Sequence, residues 1–201
     1  MQLKQLLQGL PTNSVEGSLD REISGVTYDS RRVAPGMIFV AIPGQNADGH
    51  EFISAAVERG ATAVICERAR AFPSRATRIC VPDAREAMAR VSRSFYHHPS
   101  AKLKVVGVTG TNGKTTVAFM IKAILEAADI KTGLMSTVRY EIGDRVIPAQ
   151  RTTPESIEVQ QMMAQMLKAD CQACVMEVSS HALDQKRVHG EIGRASCRER
   201  V

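Results

Sequence analysis

The sequence has no tryptophan, and aromatic residues make up only 4% of its 201 positions. The chain therefore has few aromatic side chains on which the bases of single-stranded nucleic acid could stack. No stretch reaches the roughly 18 consecutive apolar residues of a membrane-spanning helix, and no block of five like charges occurs. We expect neither nucleic-acid binding nor membrane insertion. The net charge of +5 fits a phosphorylated small molecule as well as it fits a solvated surface.

The N-terminus lacks the features of a signal peptide, because it has no continuous apolar stretch and no small-residue cleavage site. Instead, leucines recur at helical spacing with polar residues between them, which predicts a core-facing helix. These leucines are Leu3, Leu6, Leu7 and Leu10. We therefore expect a cytoplasmic protein, and we take it to be a monomer.

Cysteine is scarce, with five residues in the whole chain. Cys66 and Cys80 lie in apolar, strand-like runs, where a small buried thiol is the simplest interpretation. Cys171 and Cys174 form a C-x-x-C pair, but no second pair and no histidine at zinc spacing accompanies them. Buried thiols are therefore favoured over a metal or redox site.

Residues 1–98 alternate short apolar runs with helical patterns, which predicts a small α/β domain. A buried strand is expected at 37–42, a helix at 51–59 that Gly60 ends, and a second strand at 61–66. Asp83, followed by Glu86 three residues later, is a capping-box pattern at the start of a helix that ends before Pro99. We place the domain boundary at 99–101.

Residues 102–190 are predicted to form a second α/β domain with a mostly parallel sheet. Strands are expected at 103–109, 131–137 and 173–178, helices at 115–128 and 156–168, and a hairpin that turns at Gly143-Asp144. On the first of these helices, the residues predicted to face inward are Val117, Ile121, Ile124, Leu125 and Ala128.

Residues 191–201 differ from the rest of the chain, with three arginines and no periodicity. The string from Ile192 to Val201 resembles a translated sequencing adapter. We interpret residues 191–201 as a non-native tail, and we expect the natural gene to continue beyond about Gly190.

A glycine-containing turn lies between a predicted strand and a predicted helix at 110–115, with the pattern Gly-x-x-Gly-Lys-Thr. Such a turn exposes backbone N–H groups to a phosphate, and the helix N-terminus adds partial positive charge. Lys114 is expected to reach the β- and γ-phosphates, and Thr115 to bind Mg²⁺. The longer P-loop pattern fails, because position 108 is valine rather than glycine. The flanking strand and helix nevertheless favour nucleotide binding.

Glu177 ends an apolar strand in the same domain. Ligands of open α/β sheets gather at the carboxyl ends of the strands, so this carboxylate could hold a metal that bridges the phosphates. The alternative is a strand-terminal glutamate that faces solvent. A nucleophilic pair of Ser179 or Ser180 with His181 is also conceivable, but no Gly-x-Ser-x-Gly elbow supports it.

Three separated motifs together resemble the Mur ligases, a family of ATP-dependent enzymes that form amide bonds. They are 110–116 (Gly-Thr-Asn-Gly-Lys-Thr-Thr), 152–154 (Thr-Thr-Pro) and 176–181 (Met-Glu-Val-Ser-Ser-His). Residues 28–36, and the strand and loop that follow them through 48–49, also resemble the uridine-binding domain of certain members. These members add the third amino acid, diaminopimelate or lysine, to the UDP-muramoyl peptide of bacterial cell wall. The resemblance covers residues 1–190 and implies a small N-terminal α/β uridine-binding domain, then an incomplete P-loop central ATPase domain.

The resemblance also implies roles for individual residues. Those expected to contact the UDP portion are Ser30, Gln45, Asn46 and Ala47. Those expected to hold the muramoyl-dipeptide are Thr152, Thr153, Ser179, Gln185 and Arg187. ATP would bind Gly110, Thr111, Asn112, Gly113, Lys114, Thr115 and Thr116, with Mg²⁺ near Thr115 and Glu177. The implied catalytic residues are Lys114, Glu177 and His181.

The implied reaction activates the D-glutamate carboxylate as an acyl phosphate, which the amine of the incoming amino acid attacks. Family members hold a second metal with a carbamylated lysine and bind the amino acid with a third domain. Both features would lie beyond Gly190, so we expect the chain as given to be inactive. The alternatives are another Mur ligase, a folylpolyglutamate-type ligase, and a nucleotide-binding module without catalysis.

Overall fold

The computed structural model describes residues 1–44, 47–68 and 75–190, together with the backbone of residues 196–198. The chain divides into two compact units, Met1–Phe95 and Tyr96–Val201. We call them the N-terminal unit and the C-terminal unit. No helix in the described ranges is long and apolar enough to cross a membrane.

The N-terminal unit is built on a five-stranded sheet in the order β1-β5-β4-β3-β2. Its strands are β1 (Ser14–Glu16), β2 (Gly25–Thr27), β3 (Met37–Val40), β4 (Ala63–Cys66) and β5 (Thr77–Cys80). Strands β2 to β5 are parallel, and β1 runs antiparallel to β5. The loops that follow the four parallel strands therefore leave from one edge of the sheet, where α/β proteins bind their ligands.

The helices of the N-terminal unit are α1 (Leu3–Leu6), α2 (Ile53–Glu58) and α3 (Ala84–Phe95). The predicted cap of α3 is confirmed, because the Asp83 carboxylate accepts a hydrogen bond from the Glu86 amide at 2.8 Å. The helix predicted at 51–59 begins as a 3₁₀ turn, Gly49–Phe52, and becomes α-helical only at Ile53.

Helix α1 is shorter than the leucine pattern suggests. Gly9 takes a left-handed conformation with φ of 72°, and Pro11 follows it, so the chain leaves the helix early. The inward leucine face is nevertheless confirmed for Leu3, Leu6 and Leu10, which are buried, whereas Leu7 is only half-buried. The pattern therefore identified the buried side chains correctly although it overestimated the length of the helix.

The predicted burial of Cys66 and Cys80 is confirmed. They oppose each other across β4 and β5, with their sulfur atoms 3.8 Å apart. Burial raises the pKa of the Cys66 thiol to about 12, and the neighbouring Cys80 adds to the shift. Cys171 and Cys174 are buried as well, and burial raises the pKa of Cys174 to about 12. The Cys66 and Cys174 thiols therefore stay protonated and unreactive at neutral pH.

The C-terminal unit contains a six-stranded sheet in the order β11-β6-β10-β7-β8-β9. Its strands are β6 (Lys104–Thr109), β7 (Thr132–Met135), β8 (Arg139–Ile142), β9 (Arg145–Pro148), β10 (Ala173–Glu177) and β11 (Ser196–Arg198). The first four strands in that order are parallel, and β8 and β9 form the predicted hairpin around Gly143-Asp144. Strand β11 lies in the segment interpreted as a tail, and its backbone pairs with β6.

The helices of the C-terminal unit are α4 (Lys114–Ala127), α5 (Ser156–Lys168) and α6 (Ser180–Asp184). The helix predicted at 156–168 is confirmed as α5, and its apolar residues Ile157, Val159, Met163 and Met166 are buried. Met166 packs directly against Gly133 of β7, where a side chain would approach the Met166 sulfur to 2.4 Å. This close approach brings α5 against the sheet.

The predicted inward face of α4 is partly wrong. Val117 is 37% exposed, Ile124 is 68% exposed, and Ala128 is also exposed. The side that packs on the sheet instead centres on Ala118, which is fully buried, with Ile121 and Leu125 partly buried beside it. Apolar residues occur on more than one side of α4, so the helical period alone could not select the packed side.

Candidate functional site

The turn between β6 and α4 has the backbone of a phosphate-binding loop. Gly113 takes a left-handed conformation with φ of 75° immediately before α4. Nothing lies within 4 Å of the position of an added Cβ, so a side chain would have room here. Glycine is favoured because the left-handed backbone conformation is costly for other residues. Thr111 and Asn112 are exposed. The turn is therefore accessible, and it opens a 14-residue helix whose N-terminus favours an anion.

Lys114 folds back over this turn. Its ammonium donates hydrogen bonds to the carbonyl oxygens of Gly110 at 2.8 Å and of Thr111 at 3.2 Å. A fixed positive charge therefore lies over the turn. This is the place where the terminal phosphates of a nucleotide would require neutralisation.

Glu177 is fully buried at the carboxyl end of β10. Its Oε2 accepts a hydrogen bond from the Thr115 hydroxyl at 3.0 Å, so the carboxylate lies next to the start of α4. The alternative of a solvent-facing strand end is therefore wrong. A buried carboxylate requires donors or a cation, because its desolvation is otherwise costly.

Two of the donors to Glu177 come from Thr137, which no sequence motif singled out. Its amide donates to Oε1 at 2.9 Å, and its hydroxyl donates to Oε2 at 3.1 Å. Thr137 follows β7, the parallel neighbour of β10, so both residues lie at the same edge of the sheet. Functional groups of an α/β protein are expected to follow the carboxyl ends of its parallel strands, and this expectation could have identified Thr137 from the sequence.

The Thr152-Thr153 segment contacts the same cluster. The Thr152 and Thr137 hydroxyls are 3.1 Å apart. The Thr153 hydroxyl donates to the backbone carbonyl of Glu177 at 2.8 Å and accepts from the Ser179 amide at 3.1 Å. A continuous series of hydrogen bonds therefore connects the phosphate-binding turn with a segment predicted to bind substrate.

Arg187 is buried and is therefore not part of the solvated surface charge. Its guanidinium donates to the Thr153 carbonyl at 3.0 Å and to the Gln185 side chain at 2.8 Å. It also forms an ion pair with Glu155 at 3.0 Å, and Glu155 pairs with Arg151 at 2.6 Å. These contacts hold the guanidinium beside the Thr152-Thr153 segment.

The contacts of Ser179 and His181 are made with other residues, so they do not support a nucleophilic pair of these two side chains. The Ser179 hydroxyl accepts from the Ala182 amide at 3.1 Å and so caps α6. The exposed His181 ring has its Nε2 2.6 Å from the Gln185 side-chain nitrogen. His181, Gln185 and Arg187 are thereby joined in one hydrogen-bonded series.

The remaining predicted site residues belong to the N-terminal unit. Ser30 begins a 3₁₀ turn after β2, and the Asp29 carboxylate caps that turn by accepting from the Arg31 amide at 3.0 Å. Ala47 follows β3, and its carbonyl accepts from the Gly44 amide at 3.1 Å. Because β2 and β3 are parallel neighbours, Ser30 and Ala47 follow strands that end at the same edge of the sheet. Gln45 and Asn46 lie outside the described residues.

The donor set suits magnesium better than zinc. In the described ranges, no group of three or more histidine, cysteine, aspartate or glutamate residues could hold a metal ion. Magnesium in nucleotide sites is held by one or two carboxylates, phosphates and waters. The Glu177 carboxylate and the Thr115 hydroxyl, which lie 3.0 Å apart, are enough protein ligands for such a magnesium site.

Two family models match this chain. Residues 22–96 match the model described as "Mur ligase family, catalytic domain", and residues 108–194 match "Mur ligase middle domain". The chain belongs to the Mur ligase family. The second match includes the phosphate-binding turn, the Thr152-Thr153 segment and Glu177.

Curated Mur ligases are similar along most of this chain. It is 44% identical over 192 residues to UDP-N-acetylmuramoyl-L-alanyl-D-glutamate--2,6-diaminopimelate ligase of Cytophaga hutchinsonii, covering 94% of this chain and 40% of that protein. It is 50% identical over 175 residues to the ligase of the same name of Chlorobaculum tepidum, covering 87% and 34%. The chain thus spans about two fifths or less of the curated relatives it matches.

Solved Mur ligase structures share the fold. A structure titled as UDP-N-acetylmuramoyl-L-alanyl-D-glutamate--2,6-diaminopimelate ligase matches with a TM-score of 0.82 and 25% identity, covering 100% of this chain and 41% of that one. The MurF ligase of Thermotoga maritima in complex with ADP matches with a TM-score of 0.53 and 25% identity, covering 80% and 32%. The α/β architecture with mostly parallel sheets agrees with these neighbours.

Proposed function

We propose that this chain is the N-terminal part of an ATP-dependent ligase that adds the third amino acid, diaminopimelate or lysine, to UDP-N-acetylmuramoyl-L-alanyl-D-glutamate. The N-terminal unit binds the UDP portion, and the C-terminal unit binds ATP and the muramoyl-dipeptide. The observation that supports this most is the hydrogen-bonded series from Thr115 through Glu177 and Thr137 to Thr152. It connects the expected nucleotide site with the expected substrate site.

The chemistry begins when a D-glutamate carboxylate oxygen attacks the γ-phosphorus of ATP. A P–O bond forms, the bond to the bridging oxygen breaks, and ADP leaves. The amine of the amino acid then attacks the acyl carbon, loses a proton and expels inorganic phosphate, leaving an amide. Positioning and charge neutralisation supply most of the rate enhancement in such reactions.

Each proposed role follows from the position of the residue. Lys114 already lies over the turn that would receive the phosphates. Mg²⁺, when bound by Glu177 and Thr115, would neutralise the phosphate oxygens. Arg187, held by Glu155, keeps the Thr152-Thr153 segment in place and presents positive charge to a substrate carboxylate. We assign His181 to the same substrate region through its contact with Gln185.

The proposal extends to the setting of the enzyme. We propose that the protein acts in the cytoplasm as a monomer, with a UDP-muramoyl dipeptide and a free amino acid as its substrates. The relatives are longer than this chain, and we propose that the amino-acid site and a second metal site belong to the additional sequence. The 201-residue chain is then expected to bind ligands without turning over.

Titration calorimetry with Mg·ATP and with the UDP-muramoyl dipeptide tests the proposal. We expect both ligands to bind the purified chain, whereas a nucleotide-binding module without ligase function would bind ATP alone. Phosphate release that depends on ATP and on diaminopimelate would contradict the expected inactivity of this chain. A genomic read through codon 190 that reproduced residues 191–201 would overturn the interpretation of the tail.

A further inference from the structure

His50 is a buried titratable residue that the proposed reaction does not use. Its side chain is fully enclosed, and both ring nitrogens have partners. Nδ1 lies 2.6 Å from the Asp48 carboxylate, and Nε2 accepts a hydrogen bond from the Glu67 amide at 3.1 Å. Both ring nitrogens therefore make specific polar contacts, so the His50 side chain has a role beyond packing.

These two contacts determine the tautomer of the ring. The Glu67 amide can only donate, so Nε2 must carry a lone pair. The single ring proton of a neutral imidazole then lies on Nδ1 and is donated to Asp48. In a doubly protonated ring, the Nε2–H group would face the backbone N–H group of Glu67, and neither group could accept a hydrogen bond. The observed arrangement therefore requires a neutral His50 with its proton on Nδ1.

The ring connects the loop after β3 with the end of β4. Asp48 also accepts from the His50 amide at 3.0 Å, and it pairs with Pro43 across the base of the loop. The Gly49 amide donates to the Ile42 carbonyl at 2.9 Å. A Cβ at position 49 would lie 2.6 Å from the Ile42 nitrogen, so this close approach requires glycine.

The other charged groups near the ring are accounted for. Arg68 lies 3.7 Å from the second Asp48 oxygen. The Glu67 carboxylate accepts a hydrogen bond from the Ala84 amide at the start of α3 at 2.8 Å. The ring therefore acts on one carboxylate, that of Asp48, and is held in place by one backbone amide.

We propose that His50 is a positioning residue that fixes, through Asp48, the backbone at Ala47 for a uridine nucleotide. This inference rests on the proposed binding of the UDP portion by the N-terminal unit. Ala47 and Ser30 follow adjacent parallel strands at the ligand-binding edge of the sheet. A loop fixed before the ligand arrives loses less conformational entropy on binding, which increases affinity.

Two matched variants separate the two halves of the ring. His50→Gln keeps an acceptor for the Glu67 amide but loses the donor to Asp48. His50→Asn keeps a donor near the position of Nδ1 but loses the acceptor. We expect calorimetry to give about tenfold weaker binding of the UDP-muramoyl dipeptide for His50→Gln, because a hydrogen bond to a charged group is lost. We expect His50→Asn to bind within about threefold of the wild type.

Asp48→Ala provides a second route to the same bond, at a side chain that is 25% exposed. We expect it to weaken binding of the UDP-muramoyl dipeptide as much as His50→Gln does, and the double variant to bind no more weakly than either single variant. This non-additivity is the sign of two residues that act as one unit. Additive losses would overturn the proposal.

Thermal unfolding of each variant and Mg·ATP affinity serve as controls. If His50 only fills space, both substitutions will weaken binding of the UDP-muramoyl dipeptide in proportion to their loss of Tm, which would overturn the proposal. Wild-type affinity of His50→Gln for that ligand would overturn it as well. Failure of the unaltered chain to bind the UDP-muramoyl dipeptide while it binds Mg·ATP would instead refute the proposed UDP site, and the inference would fall with it.

Discussion

Thr137 shows how a neutral side chain can support a charged site. It gives two of the hydrogen bonds that the buried Glu177 carboxylate accepts, and it contacts Thr152. We expect Thr137→Val to lower the affinity for Mg·ATP about tenfold, because the carboxylate loses one oriented donor. Thr137→Ser keeps the hydroxyl and should restore the affinity. Titration of ATP at several magnesium concentrations measures both effects, and unchanged magnesium dependence in Thr137→Val would contradict this role.

Arg187 offers a second test at the scale of single residues. Its planar guanidinium serves Thr153, Gln185 and Glu155 together, which the single ammonium of a lysine cannot reproduce. We expect Arg187→Lys to lower the free energy of unfolding by about 2 kcal/mol and to weaken binding of the UDP-muramoyl dipeptide, with Mg·ATP affinity unchanged. Urea unfolding and calorimetry provide the measurements. Equal losses for the two ligands would indicate a general defect in folding instead.

Helix α4 is connected to the β8–β9 hairpin by a charged contact that the sequence did not reveal. Lys122 of α4 pairs with Glu141 of β8 at 3.1 Å, and Arg139 pairs with the same carboxylate at 2.6 Å. Burial acts to raise the pKa of Glu141, but hydrogen bonds from Arg139 and Lys122 outweigh it and leave the pKa below the ordinary value of 4.5. The ionised carboxylate therefore stabilises the folded state.

The sign of this contribution predicts its pH dependence. A depressed carboxyl pKa stabilises the fold at pH values above 4.5, and the stabilisation is lost as pH falls through the lower folded-state pKa. We expect Glu141→Gln to lower the free energy of unfolding by about 2 kcal/mol at pH 7. The difference from the wild type should vanish in strong acid. Urea unfolding from pH 7 downward measures it, and a difference independent of pH would argue against the ion pair as its source.

The elements themselves were mostly predictable, because the buried parallel strands are continuous apolar runs and the helices carry a 3.6-residue period. Helix α5 and the β8–β9 hairpin agree with their predictions. The packed side of α4 was not predictable, since Val117 and Ile124 are as apolar as the buried Ala118. Which strands are neighbours in the sheet could not be predicted from the sequence either. Thr137 reaches Glu177 because β7 and β10 are neighbours, and forty positions of sequence separate the two residues.

At the scale of the whole molecule, a two-unit chain should allow its ligand sites to be impaired separately. Lys114→Met removes the charge over the turn between β6 and α4, so we expect Mg·ATP affinity to fall about a hundredfold, because the phosphates would lose a charged contact. Affinity for the UDP-muramoyl dipeptide should stay within about threefold of the wild type. Calorimetry with both ligands measures the two affinities on the same protein.

The reciprocal variant, Ser30→Ala, should weaken binding of the UDP-muramoyl dipeptide and leave Mg·ATP affinity unchanged, because Ser30 belongs to the N-terminal unit. Lys168→Met serves as the matched control for Lys114→Met, since it removes an exposed lysine from the end of α5, away from the turn. Loss of both affinities in Lys114→Met, with both retained in Lys168→Met, would contradict the prediction that the two ligands can be impaired separately. Lys114 would then also serve the muramoyl-dipeptide, which is proposed to bind the same unit, and the family assignment would still stand because it rests on other observations.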